Sequence, residues 1–221
     1  MCFNSSISIN TFAFSMFATI FGFVNGILSL NMVGLMTSFV IVQLLEWRTW
    51  TLLDARKPVD KLTALAYPFI FLLLQPAAAV ALYMNQQKTV ESRIGAFWTQ
   101  KVNVLVLASL AALWILGAWV YSRYVPEIKP SRVNGRLMYN LKDPEQKLLG
   151  TMILVFYMLT VVIPTCLAAP LWAAVITLVT LVVSLIGWWT TRTWGTMWCY
   201  TANFTAIWIV FLVFRKSYVT A

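Results

Sequence analysis

Glu46 is the one carboxylate joined to a long apolar run, and Gln43 precedes it by three residues, the spacing that sets two side chains on one helix face. An ionisable group deep in hydrocarbon is expensive to keep there, so the pair points to a cation or proton site facing a bundle interior. The plainer alternative puts Glu46 at headgroup depth, paired with a basic neighbour such as Arg48. Gln75 and Pro76 fall in the middle of another apolar run. Proline has no N–H to give, so it frees a backbone carbonyl at Phe71 or its neighbour and kinks the helix, while the Gln75 amide needs a partner in hydrocarbon. Freed carbonyls can line a solute or ion path; the alternative is a packing kink with Gln75 tying two helices together. A third group is Trp198, Cys199, Tyr200 and Asn203. Trp198 and Thr201 share one helix face, Cys199 and Asn203 another, either toward a ligand or toward a neighbouring helix.

Much familiar chemistry is absent. The chain contains no histidine, which removes the commonest general base and the usual metal ligand. Cys2, Cys166 and Cys199 are too scattered for a metal site or a disulfide framework and read as small packing residues. No phosphate-binding glycine loop precedes a helix, and no G-x-S-x-G turn occurs. The sequence therefore predicts no enzyme, no metal and no cofactor.

The elements that must hold these residues are membrane helices. Of 221 residues, 61% are hydrophobic and 10% charged, against about 25% charged in soluble domains. Apolar runs long enough to span a bilayer cover about 8–26, 30–47, 62–84, 102–122, 148–168, 170–190 and 195–214. They are too long for tilted barrel strands, and helices satisfy every peptide group within one segment. The expectation is an all-α polytopic bundle of about seven spans in one transmembrane domain, 1–221. Asn25, Gly26 and Asn31 predict a tight turn between the first two runs, because glycine and asparagine tolerate positive φ. Ala168, Ala169 and Pro170 predict a second turn. Gly22 and Gly26 have the spacing of a close helix contact. Trp47, Trp50, Trp98, Trp172, Trp188, Trp189 and Trp194 cluster near run ends, where amphipathic rings sit at headgroup level.

The net charge of +9 lies between the apolar runs, so it reads as membrane topology and contact with anionic headgroups, with no nucleic acid. Eleven Lys or Arg residues fall in the 48–61, 123–147 and 191–194 connections and five on the opposite side. With seven spans, that bias sets the N-terminus inside and the C-terminus outside. The first 45 residues carry no charge, which predicts no cleaved signal peptide, and the Asn4-Ser5-Ser6 sequon would go unused inside.

Trp47-Arg48-Thr49-Trp50 and Thr191-Arg192-Thr193-Trp194 share three of four residues. Both are expected in equivalent basic connections, the plan of a parallel three-plus-one-plus-three pseudo-repeat. The alternative is chance, since arginine and tryptophan are common at interfaces.

Leu44-Leu45-Glu46-Trp47, Gln75-Pro76, and Gly195-Thr-Met-Trp198-Cys199 with Asn203 together resemble a family of seven-helix membrane proteins encoded by large DNA viruses of algae and protists, with distant bacterial relatives. The resemblance implies a viral or virus-modified membrane and assigns no activity. The residues themselves predict a small-solute or ion transporter or channel, with Glu46, Gln43, Gln75 and Asn203 as its polar lining. The alternatives are a non-catalytic membrane organiser, such as a virion or host-membrane component, and a receptor without retinal, since 195–214 lacks a lysine for a Schiff base. The expected partners are the bilayer and its anionic headgroups, with homo-oligomerisation open.

Overall fold

A computed structural model describes residues 4–124, 130–133, 136–139, 144–191 and 195–220, with the backbone alone in the two strands and at 61, 120–121, 123–124, 144–150, 184–185, 187–191, 195–202 and 219–220. Among the described residues, five helical stretches are long and apolar enough to cross a membrane: Ser5–Val24, Leu30–Asp54, Leu62–Asn85, Ala96–Trp119 and Thr151–Ala168. This architecture fits an integral membrane protein. In chain order the helices are α1 (Ser5–Val24), α2 (Leu30–Asp54), α3 (Lys61–Phe69), α4 (Gln75–Asn85), α5 (Gln87–Ile94) and α6 (Ala96–Tyr124). They continue with α7 (Pro144–Tyr157), α8 (Ile163–Ala168), α9 (Leu171–Thr191) and α10 (Gly195–Thr220). A two-stranded ribbon, β1 (Pro130–Val133) and β2 (Arg136–Tyr139), lies in the long basic connection.

The chain forms two compact units. The first holds Met1–Pro58, Arg132–Met138 and Leu178–Ala221, and in it α1 packs along both α2 and α10. Local chemistry sets the helix ends. Asn4 caps α1, its Oδ1 accepting from the Ile7 N–H at 2.8 Å, and Ser29 caps α2. Between them Gly26 takes φ +67, the positive value expected of that turn. Gly22 has a separate reason to be glycine. A Cβ there would lie 2.5 Å from Ile209 Cγ2 and 3.2 Å from the Leu28 side chain, so α10 sits against bare backbone.

The second unit holds Val59–Ser131 and Tyr139–Thr177. Here α3 and α4 are two halves of one span, joined by a π-turn at Ile70–Leu74 in which the Gln75 N–H reaches back five residues to Ile70 O. The same device joins α7 to α8, with a π-turn at Met158–Val162 and the Ile163 N–H on Met158 O. A proline follows each turn, Pro76 and Pro164, at the start of the next helix where its missing N–H is tolerated. The break expected at Gln75-Pro76 is therefore a π-turn before the proline, and it has a twin that the sequence reading passed over. Gly95 ends α5 with φ +80. Ala169 is extended and α9 begins at Leu171, in agreement with the expected turn.

Several expected boundaries need correction. The second run, expected to close at 47, continues to Asp54, so Trp47-Arg48-Thr49-Trp50 is helix rather than connection. A lone exposed arginine does not stop a helix; Arg48 points outward while Thr49 and Trp50 are buried. Trp50, 1% exposed, is thus a core residue instead of an interfacial one, whereas Trp98 is exposed near the start of α6 as a belt residue would be. The fourth run starts earlier than expected, at Ala96, because Lys101 lies over the Phe97 ring at 5.6 Å instead of ending the helix. Arg192, Thr193 and Trp194 lie outside the described residues, so the second copy of the echo does too. The two compact units join α1 and α2 with α10, and α3 to α8 with one another.

Candidate functional site

In the first unit the polar groups of α1 and α2 are buried. Along α1, Ser8, Thr11, Ser15 and Thr19 recur at helical spacing on the face packed inside the unit. Along α2, Ser38, Gln43, Glu46 and Thr49 are likewise buried, Glu46 at 2% exposure. Counted outward from the turn, Ser8 and Glu46 stand at matching distances, as do Thr11 and Gln43, and Ser15 and Ser38 nearly so. An antiparallel helix pair thereby brings the two rows to the same levels. α10 joins this face through Asn203, whose Nδ2 donates to Thr11 Oγ1 at 3.2 Å.

The hydroxyls differ in what they do. Ser8, Thr19, Ser38 and Thr49 each donate to a carbonyl of their own helix or its cap, at Asn4, Ser15, Leu35 and Leu45. Ser15 Oγ does not; it is buried with no hydrogen-bond partner. Trp198 and Cys199 belong to α10, but their side chains lie outside the described residues. The row on α1 was missed by the sequence reading, which followed charge and amides. Its signal was present in the spacing of Ser8, Thr11, Ser15 and Thr19 across an uncharged helix.

The second unit uses its buried polar groups differently. Gln75, 0% exposed, opens α4, and its Oε1 accepts from the Tyr157 hydroxyl at 2.5 Å. Tyr157 closes α7 and stands 6.4 Å from the Phe71 ring, so the two π-turns are tied across one contact. Nearer the end of α4, the Tyr83 hydroxyl donates to Asn103 Oδ1 at 2.6 Å, and Asn103 Nδ2 donates to Gln87 Oε1 at 3.0 Å. Arg93 on α5 donates from Nη1 to Cys166 O and Leu167 O, at 3.0 and 2.9 Å, satisfying carbonyls at the end of α8. Thr165 Oγ1 is buried in this unit with no partner. Glu46, Gln43 and Asn203 thus belong to the first unit and Gln75 with Pro76 to the second. Among the described residues no cluster of His, Cys, Asp or Glu could hold a metal ion. No family model, no curated protein and no solved structure matches the chain.

Proposed function

We propose that the protein is a seven-span membrane transporter or channel for a small solute or ion, with the buried face around Glu46 as its working site. The observation that carries the reading is the enclosure of Glu46 beside Gln43 by helices whose facing side chains are polar. A membrane helix pair gains nothing from burying a carboxylate for packing alone, and small apolar residues would do that better.

Two contacts support seven crossings. Asn203 meets Thr11 near one end of α1, and Lys216 Nζ donates to Asn25 O at the other, 2.8 Å away. From Thr11 to Asn25 is about 20 Å of helix, so α10 runs beside α1 and in the same direction over most of a bilayer core. A chain with five crossings that then returns parallel to its first helix needs α9 and α10 to cross as well. The basic-residue bias then sets the N-terminus inside.

The second reading is a non-catalytic organiser in a viral or cellular membrane. The Tyr157–Gln75 and Tyr83–Asn103–Gln87 bonds favour it, because they use buried polar groups as ties between helices. The two readings separate in proteoliposomes. A panel of ions and small neutral solutes is tested for passage, and the transport reading expects one of them to pass and to stop in Glu46→Gln. Passage unaffected by Glu46→Gln removes the site, and no passage of anything favours the organiser.

A further inference from the structure

In the second unit, α5 and the start of α6 carry basic side chains that the fold does not use for itself. The short helix α5 is fastened on its inner side: Val90 is fully buried, Gln87 Oε1 accepts from Asn103, and Arg93 is committed to the carbonyls of Cys166 and Leu167. Lys88 and Glu91 are turned outward and exposed. They stand three residues apart on one helix, yet among the described residues neither has an ion pair or a side-chain hydrogen bond. Asn103 bonds the neighbour of Lys88 and lies two residues from Lys101, so both lysines belong to the corner where α5 meets α6. Arg93 is bound to the end of α8, which leaves these two ammonium groups for a partner outside the unit.

The conformation of Lys101 shows where that partner lies. Lys101 sits on the second turn of α6, inside the apolar stretch Ala96–Trp119, where an ammonium group is costly. Its Nζ turns back over the Phe97 ring, 5.6 Å from the centroid, one helical turn nearer the start of α6. A lysine that bends back in this way lays its methylenes along apolar surface and lifts its charge to the boundary of the bilayer. Phe97 and Trp98 are exposed at the same level, which is where aromatic rings collect at headgroups. The topological bias gives these charges no task, since Lys88, Arg93 and Lys101 belong to the five basic residues on the poorer side. Three basic residues against Glu91 leave the corner positive, and its complement is a phosphate. A soluble anion would meet the charges alone. A phospholipid meets the charges with its headgroup and the exposed rings with its chains.

We infer that Lys88 and Lys101 hold the phosphate of an anionic phospholipid at the corner of α5 and α6, with its acyl chains along Phe97, Trp98 and the exposed side of α6. The lipid contact stands whether the protein transports a solute or organises a membrane.

The test uses the full chain, with its native cysteines replaced by serine, in phosphatidylcholine vesicles. A fluorophore on Gln100→Cys, exposed between Trp98 and Lys101, is quenched by phosphatidylglycerol or phosphatidylcholine carrying a nitroxide on the upper acyl chain. Titration with each lipid gives their relative affinity for the corner. Phosphatidylglycerol should bind at least about fivefold better, the attraction of one basic side chain for an anionic headgroup. The same fluorophore on Ile115→Cys, exposed farther along α6, should show no preference. Lys88→Gln with Lys101→Gln should abolish the preference at Gln100→Cys, and Lys88→Arg with Lys101→Arg should keep it. Both lysines are exposed, so the melting temperature of these variants should match that of the parent, and a lost preference then reflects the lost charge. Equal quenching by the two lipids at Gln100→Cys, an equal preference at Ile115→Cys, or a preference that survives the glutamine pair overturns the inference. Loss of the preference in millimolar inorganic phosphate at constant ionic strength would assign the lysines to a soluble anion and overturn it as well.

Discussion

The Tyr157 hydroxyl donates to Gln75 Oε1 across 2.5 Å, joining the last residue before one π-turn to the first residue after another. Removing the donor in Tyr157→Phe should destabilise the protein by about 1 kcal/mol, between the average of about 0.6 for interhelical bonds in membranes and the larger penalty of a buried polar group losing its partner. Replacing both ends, Tyr157→Phe with Gln75→Leu, should recover part of the loss, since neither polar group is then buried. Thermal unfolding of the four proteins of this cycle in detergent measures the coupling; strictly additive effects would show that the bond contributes nothing.

A π-turn holds one residue more than an α-turn closing the same length of helix, and this makes deletions informative. Leu73, in the first π-turn, can be lost if the turn closes to α-helical geometry while α3 and α4 keep their faces. Deleting Ile115 from the regular helix α6 has no such outlet; it rotates every later side chain of that helix by about 100°. The Leu73 deletion should therefore express as a monodisperse protein and the Ile115 deletion should not. Size-exclusion profiles of the two decide it, and equal collapse of both would deny the π-turn its role as a one-residue insertion.

How much was legible depended on whether a feature is local. The turn at Gly26, the break at Ala169-Pro170 and the apolar helices follow from side chains acting on their own backbone, and they can be read from the residues. The continuation of α2 past Arg48 is not legible, because a charge after an apolar run resembles a stop signal while helix geometry asks only that the charge face outward. The π-turn at Met158–Val162 had a sign, Pro164 inside an apolar run, that resembles the one read at Pro76. The shared face of Gln43 and Glu46 is legible from spacing, and the row of hydroxyls opposite, uncharged and short, gives a fainter signal of the same kind. Tyr157 meeting Gln75 joins residues far apart in the chain, and nothing local announces it.

Gly22 faces Ile209 with no room for a side chain, so Gly22→Ala forces α10 away from α1. Overpacking of this kind costs about 1–3 kcal/mol, and Ile209→Ala in the same chain should return part of it by vacating the space. Unfolding midpoints of the single and double variants test this; a Gly22→Ala protein as stable as the parent would mean that the helices separate freely.

Arg93 bridges α5 to the carbonyls of Cys166 and Leu167, where the negative end of the α8 dipole adds to two hydrogen bonds. The site is solvent-facing, so Arg93→Ala should cost only about 0.5–1 kcal/mol, and Arg93→Lys, with a single flexible donor group, should keep part of it. The difference should shrink in high salt if the dipole contributes. A salt-independent loss would assign the effect to hydrogen bonding alone.

The pairing of Lys216 with Asn25 O sets the end of α10 at the level of the α1–α2 turn, and the proposed seven crossings would put both on one side of the membrane. Val24 and Tyr218 are exposed near that level, while Lys57 follows the far end of α2. In a chain whose native cysteines are replaced by serine, Val24→Cys and Tyr218→Cys should react together with an impermeant maleimide added to one side. Lys57→Cys should react only from the other side. With the N-terminus inside, the first two label from outside in sealed cells and the third labels only after permeabilisation. Labelling of Val24→Cys and Tyr218→Cys from opposite sides would require an even number of crossings and would undo the alignment of α10 with α1 on which the site around Glu46 depends.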